Sequence, residues 1–460
     1  MSRFAVSTAL LLAAVAASTG CVSASESDTP EDSEDGQILG ADNKEDSVWF
    51  VEDNSWESEA VLRFVNSASY DQLTNDAGLT SWPAKSIANA KKPIKTLTDL
   101  DALSWVGPVT FSELRSYAVD HGFGPKLGEE YAPANEQQAI DNTMMAMSAL
   151  MLKRYAGGGE YKRGQHAKAH GCVDATFHVA DNVPAAQRVG LFGQPGDFRA
   201  IVRYSNGDST VKADSEKDVR GMAIKVIGVD GTKLMPEEAT ATTQDFLLIS
   251  HPTLMVRNVL KYADLAQRMA SGNQLSLVTF FLSLNPADWE IRGITTLLGM
   301  VSHKVPNPIA AKYFSTTPYA LGANAAVKYS AQPCVEVPES VPANPGPDYL
   351  RDALKTSLAS GGACFDFYVQ PQVDPRIQPI EDPSIEWKTP MVKVATLTIP
   401  QQTFDSAEQT AACENLSFTP WHSLPEHRPL GGINRARKAV YKAMSTMRHS
   451  HNGAAQTEPR

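Results

Sequence analysis

The residues best suited to chemistry in this 460-residue chain lie in clusters far apart in sequence. Near the C-terminus stands Arg437-Lys-Ala-Val-Tyr441, followed by Arg448. On a helix of 3.6 residues per turn these three side chains fall within about 40° of one another, so two guanidinium groups flank one phenol. A free phenol keeps its proton to about pH 10, and a neighbouring cation favours the phenolate, the form that ligates ferric iron. The plainer alternative is a basic helix with Lys438 and Lys442 in water and Tyr441 packed as an ordinary aromatic. Far upstream lie Arg163-Gly-Gln-His166 and Val202-Arg203-Tyr-Ser205; in a strand, Arg203 and Ser205 point to one face. The spacing His166-x-x-x-His170-x-Cys172 also suits zinc, but no second cysteine pair or acidic partner completes it.

The elements that must position these groups read as an α+β set. Glu136 to Tyr155 has a helical pattern, and its methionine-rich stretch Met144–Met151 suits core filling better than a ligand channel. Strand-like runs follow at 172–179, 200–205, 222–229, 245–249, 364–369 and 391–399, with helical stretches at 258–270 and 275–284. Such a pattern predicts an antiparallel sheet, closed as a barrel, with helices around it. The pair Glu381-Asp382, set between prolines, reads as a solvated turn.

The N-terminal part reads differently. Arg3 and an apolar run from Phe4 to Ala17 have the layout of a secretory signal, and Ser18-Thr19-Gly20-Cys21 resembles a bacterial lipoprotein box with Cys21 as lipid acceptor. Both readings export the chain, to the periplasm or to a membrane-anchored state in a bacterium. Residues 22–46 form an acidic, serine-rich tether. Residues 47–124 carry a loose repeat, Ala68–Leu79 and Leu97–Gly107, each a short helix ending in a Gly-containing hairpin, which resembles a tandem helix-hairpin-helix domain. Pro108 removes one backbone donor, acidic residues flank the hairpins and the net charge of the chain is −11, so protein docking is expected there rather than nucleic acid. With Cys21 set aside, Cys172, Cys334, Cys364 and Cys413 remain, an even number in an exported chain; pairing is expected, with three connectivities open.

Taken in order, the clusters are similar to motifs of the haem catalases. Arg163-Gly-Gln-His166-Ala-Lys-Ala-His-Gly-Cys-Val173 resembles their distal-histidine segment. Val202-Arg203-Tyr-Ser205 with Asp218-Val-Arg-Gly221-Met-Ala-Ile-Lys225 resembles the next block, and Arg428-Pro-Leu-Gly-Gly-Ile-Asn434 with Arg437-x-x-x-Tyr441 resembles the proximal helix. The similarity spans residues 128–450, as a divergent catalase-related branch, and leaves 451–460 as a tail. It implies a catalase-like β-barrel domain holding haem b, with Tyr441 as proximal iron ligand beside Arg437. It further implies His166 as distal acid–base group held by Ser205, and Arg163, Arg203 and Arg448 on the propionates. The expected activity is oxidoreductase chemistry on hydrogen peroxide or organic peroxides, in a chain that is open to homo-oligomer formation.

One departure bears on the substrate. Catalases carry a distal Asn ahead of a Phe-Phe-Ile-Arg-Asp-type strand, where this chain has Ala241-Thr242-Thr243-Gln244-Asp245-Phe-Leu-Leu-Ile249. Thr242 therefore stands in the expected catalytic position without an amide to donate. That leaves lipid-hydroperoxide conversion of the allene oxide synthase type as the alternative, and a non-catalytic haem-binding surface protein as a second.

Overall fold

Strand Gly196–Asn206 shows how this chain builds its core. Ala200, Val202 and Tyr204 alternate with Arg203 and Ser205, so one face of the strand is apolar and the other polar, yet both are buried. A computed structural model describes residues 47–48, 51–283, 289–302, 304–336 and 340–459. The expected signal, Cys21 and the tether lie outside the described residues. The chain divides into two compact units, residues 1–122 with 264–291, and 123–263 with 292–460.

In the first unit, β1 (Ser47–Val48) and β2 (Val51–Glu52) pair antiparallel, followed by helices α1 (Trp56–Ser67), α2 (Ser81–Ala88), α3 (Leu97–Asp101) and α4 (Pro108–Asp120). Gln72–Asp76, inside the first expected repeat, winds as a π-helix. Thr96 and Asp99 form a reciprocal cap at the start of α3, and Pro108 opens α4, where a missing N–H costs nothing. Val61, Phe64, Val65, Leu100, Phe111 and Leu114 are buried. Residues 264–291, which the sequence reading assigned to the large domain, cluster with this unit instead.

The second unit begins with α5 (Glu136–Arg154). Strands β3 (Ala169–Val179), β4 (Gly196–Asn206), β5 (Arg220–Ile227) and β6 (Thr243–Ile249) then run as an antiparallel meander. After them come β7 (Tyr313–Phe314), β8 (Tyr319–Ala320), β9 (Ala326–Pro333), helix α6 (Tyr349–Ser360), β10 (Ala363–Pro371) and β11 (Val392–Ile399). Because β10 pairs with both β11 and β9, the sheet closes: among the described residues, eight strands, β3 to β7 with β9 to β11, form an antiparallel barrel, and β8 adds to β9. A barrel of this size is filled by its own side chains. Phe177, Phe246, Tyr329 and Phe367 interlock there, with the Phe246 ring 4.8 Å from Phe367 and 4.9 Å from Tyr329.

Two further helices, α7 (Ala407–Asn415) and α8 (Gly432–Asn452), complete the unit. The start of α8 is clamped by carboxylates: Gly431 N–H donates to Glu130 at 2.8 Å and Gly432 N–H to Glu381 at 2.7 Å, while Arg435 bonds Glu136 and Glu381. Negative charge there satisfies the free amides of a helix N-terminus. Glu381 is thus buried, not a solvated turn, and burial raises its pKa to about 7, against the pull of Arg435. A Cβ on Gly431, whose φ is +86°, would lie 2.6 Å from the Ile380 carbonyl oxygen. The helix packs on α5 through Met147, Met151, Val440 and Met444. It continues to Asn452, past the expected domain end, and Glu458 of the expected tail bonds Lys225 and Thr243.

Candidate functional site

Along β4, β5 and β6 the residues that face away from the barrel core are Arg203 and Ser205, Gly221 and Ala223, and Leu247 and Ile249. Strand register places them side by side, with Gly221 opposite both Ser205 and Ile249. Against this outer face lies a cavity walled on its other sides by Arg163 to His166, Tyr262, Ser417, Phe418 and helix α8. His166, Ser205, Arg163, Arg203, Arg437, Tyr441 and Arg448 all line it. Residues nearly 300 positions apart in sequence thus line one cavity.

His166 sits in the left-handed backbone region, φ +57°, its N–H bonded to the Gly207 carbonyl and its own carbonyl accepting from Arg203 at 2.9 Å. Its ring Nδ1 lies 3.0 Å from Ser205 Oγ. The close fit depends on Gly221, since a Cβ there would come within 2.4 Å of Nδ1 and 2.7 Å of Ser205 Oγ. Burial, and then the positive charges of Arg203 and Arg437, lower the imidazole pKa to about 4. The ring is therefore neutral at physiological pH, with Nδ1 engaged by Ser205 Oγ.

From α8, the Arg437 guanidinium carbon lies 5.5 Å from the centre of the Tyr441 ring, and Arg437 donates to Thr317 and Asn434, at 3.2 Å each. Tyr262, from helix Val259–Ser271, also lines the cavity; burial and the nearby Tyr441 raise its phenol to about 12. The sequence reading did not single out this second phenol, whose neighbours carry no motif.

Arg163, Arg203 and Arg448 gather at the cavity edge. Arg163 donates to the Cys413 and Leu416 carbonyls, at 3.1 and 2.5 Å, and Arg448 to those of Leu416, at 3.1 Å, and Glu414. Burial and then Arg163 push the Arg203 pKa well below its ordinary value, and the same two causes lower Arg448 to about 10. Among the described residues the carboxylate paired with this trio is Glu414, 3.4 Å from Arg163, and the buried Nε–H of Arg203 has no partner. Three buried cations sharing one carboxylate form a site short of negative charge, and the planar forks of arginine suit carboxylates.

Thr242 is not part of this arrangement. It precedes β6, where its carbonyl accepts from the Gly228 and Val229 amides, at the end of the strand opposite the one that reaches the cavity. At about 3.3 Å per residue it is on the order of 20 Å along the strand from Ile249. The β6 residues at the cavity are Leu247, Leu248 and Ile249, all apolar. Strand length sets the reason: the expectation measured from the strand entry, whereas pairing with Gly221 brings the strand exit to the site. Gln244 bonds Ser423 and the Leu424 amide, as a strand-entry contact. Cys172 is paired with Cys413 and is no zinc ligand.

Beside the cavity on the same sheet face, Lys225 is fully buried against Asp245, at 2.7 Å. Their neighbour His422 is held protonated: burial opposes its charge, but Asp245 and Glu238 raise its pKa to about 9.

Solved structures place this geometry among known folds. The protein is similar to a fungal catalase, with a TM-score of 0.50 and 16% identity over 67% of this chain and 65% of that one. It is similar to catalase A from Saccharomyces cerevisiae at the same TM-score, with 15% identity over 73% of this chain and 71% of that one. The fold is catalase-like. The chain spans about two thirds of the fungal catalase's length, and at this identity the likeness is one of fold. No protein-family model matches the chain, and no curated protein matches it.

Proposed function

We propose that this cavity holds haem b and that the protein consumes peroxides. The observation that carries the reading is the charge-deficient trio Arg163, Arg203 and Arg448 on a cavity that also presents Tyr441 from α8 and His166 from the opposing sheet. The residues present fit the group: the unpartnered Nε–H of Arg203 and its two neighbours would take the propionates, and Tyr441, with the Arg437 guanidinium over its ring, would be the proximal ligand. Bound there, the iron supplies the redox chemistry of O–O bond cleavage.

The protein's part in the reaction is proton handling. Neutral His166, its Nδ1 fixed on Ser205, accepts the proton of an incoming peroxide at Nε2 and returns it to the departing oxygen. Gly221 lets the ring lie against the strand, so the base is positioned before substrate arrives. Leu247, Ile249, Met147 and Met444 add an apolar stretch to the wall, beside the amide of Gln165 and the hydroxyls of Ser417 and Ser445. That apolar stretch favours organic peroxides with an apolar body, so lipid-hydroperoxide conversion is the second reading.

The setting we propose with this chemistry is that of an exported protein, either free in the periplasm or lipid-anchored through Cys21, which acts on small-molecule peroxides and binds no nucleic acid; a homo-oligomer is compatible with it. Haemin titration of the purified protein, followed on the same sample by oxygen release from hydrogen peroxide and turnover of a fatty-acid hydroperoxide, tests the reading. A Soret band with turnover is expected. Absence of the band overturns haem binding, and a band without either turnover favours a non-catalytic haem-binding protein.

A further inference from the structure

Cys172 and Cys413 are joined by a disulfide across 241 residues of sequence, with their Cα atoms 5.6 Å apart. Cys172 stands in β3 directly opposite Arg203 of β4. Cys413 lies in the last turn of α7 and opens a segment whose backbone carbonyls hold the other two arginines. The Cys413 and Leu416 carbonyls accept from Arg163, those of Glu414 and Leu416 from Arg448, and that of Asn415 from His449 at 2.8 Å. Ser417 Oγ then bonds Ser445 Oγ of α8 at 2.7 Å, and Ser417 and Phe418 form part of the cavity wall. Segment 413–418 is thus the frame on which Arg163 and Arg448 rest, and the bridge pins that frame to the strand beside Arg203. Like charges in a buried cluster repel, so the frame works against a force that spreads the trio.

We infer that the Cys172–Cys413 disulfide positions the arginine cluster, so that the cavity holds its anionic ligand tightly when the bridge is formed and loosely when a dithiol has reduced it. The identity of that ligand as haem rests on the function proposed above; the positioning itself does not. In the reducing step a thiolate of the dithiol attacks one sulfur of the bridge and forms a mixed disulfide. Its second thiol then closes the reductant's own disulfide, leaving Cys172 and Cys413 as thiols with two protons and two electrons gained. Cys172 is only half-buried, which gives the reductant an entry, whereas Cys413 is buried. The other disulfide, Cys334–Cys364, joins the residue that follows β9 to β10 with neither cysteine on the cavity, and serves as an internal control.

The test compares the full chain in oxidised form, after dithiothreitol, as Cys172→Ala/Cys413→Ala and as Cys334→Ala/Cys364→Ala. Haemin affinity is read from the Soret band, and hydrogen exchange is measured by mass spectrometry on the ligand-free protein. Loss of the Cys172–Cys413 bridge is expected to weaken haemin binding roughly tenfold and to speed exchange in peptides covering 413–418 and 445–452, while the control variant matches the oxidised protein. Unchanged affinity with unchanged exchange overturns the inference. So does acceleration spread evenly over β3 to β6, because the bridge is then a general staple. Should the double variant fail to fold, the reduced wild-type chain gives the same two readouts. An oxidised chain that binds no haemin overturns the haem reading alone, since the exchange pattern still decides the role of the bridge.

Discussion

The two faces of strands β4 to β6 have the same backbone and opposite chemistry. Inward, Val202, Tyr204, Met222, Ile224, Phe246 and Leu248 fill the barrel with apolar contact. Outward, one residue out of step with them, stand Arg203, Ser205, Gly221 and Lys225, equally hidden from water but polar, charged or absent as side chains. Burial costs a polar group free energy that packing does not return, so a buried polar face needs its own reason. The inner face explains why the domain folds, and the outer face why it folds around a cavity. The contrast teaches that, in strands covered on both sides, departure from the apolar run is the signal of a site.

The contrast can be broken from either side. On the outer face His166→Ala removes the proposed base, and peroxide turnover is expected to fall on the order of 10²–10⁴-fold with an unchanged melting curve; steady-state assays beside calorimetry check both. On the inner face Phe246→Ala should cost about 3–5 kcal/mol of stability, read by denaturant unfolding. Gly221→Ala sits between the two: its methyl meets the His166 ring and Ser205 Oγ. About 1–3 kcal/mol of stability should be lost, together with a changed spectrum of any bound haem. The smallest effect is the pH response. The folded-state pKa of His166 lies near 4, below the reference 6.5, so the fold favours the neutral ring. Its contribution to stability and to turnover is complete above pH 6.5 and is lost as pH falls through 4. A turnover profile bending near pH 6.5 instead would mean that the ring is solvated.

Much of this site was legible because chemistry leaves short signatures. Arg203 with Ser205 and the Arg437–Tyr441–Arg448 stripe each depend on spacing within one element, where helix and strand periods are reliable, whereas Arg163 and His166 lie outside helices and strands and were singled out by resemblance. Barrel strands β3 to β6, β10 and β11 were legible through alternation, with ends displaced by a few residues. The short β7 and β8, and β9, were not, since two-residue pairings and a strand carrying Lys328 and Ser330 give no clean period. Thr242 failed as an expectation because it required knowing which end of a hairpin reaches the cavity, and that is fixed by pairing between strands. Leu247 and Ile249 were hidden for the same reason. The pairing of Cys172 with Cys413 rests on contacts 241 residues apart, which composition cannot order.

The carboxylate clamp at the start of α8 also acts as an angular index. Glu130, Glu136 and Glu381 grip Gly431, Gly432 and Arg435, so the rotation of the helix about its own axis is set at one end and read six residues later at Tyr441. Each residue turns the helix by about 100°. Inserting one alanine between Arg435 and Tyr441 would therefore swing the phenol away from the cavity while leaving composition, charge and helix propensity almost untouched. Phase, as much as residue type, is what this helix encodes.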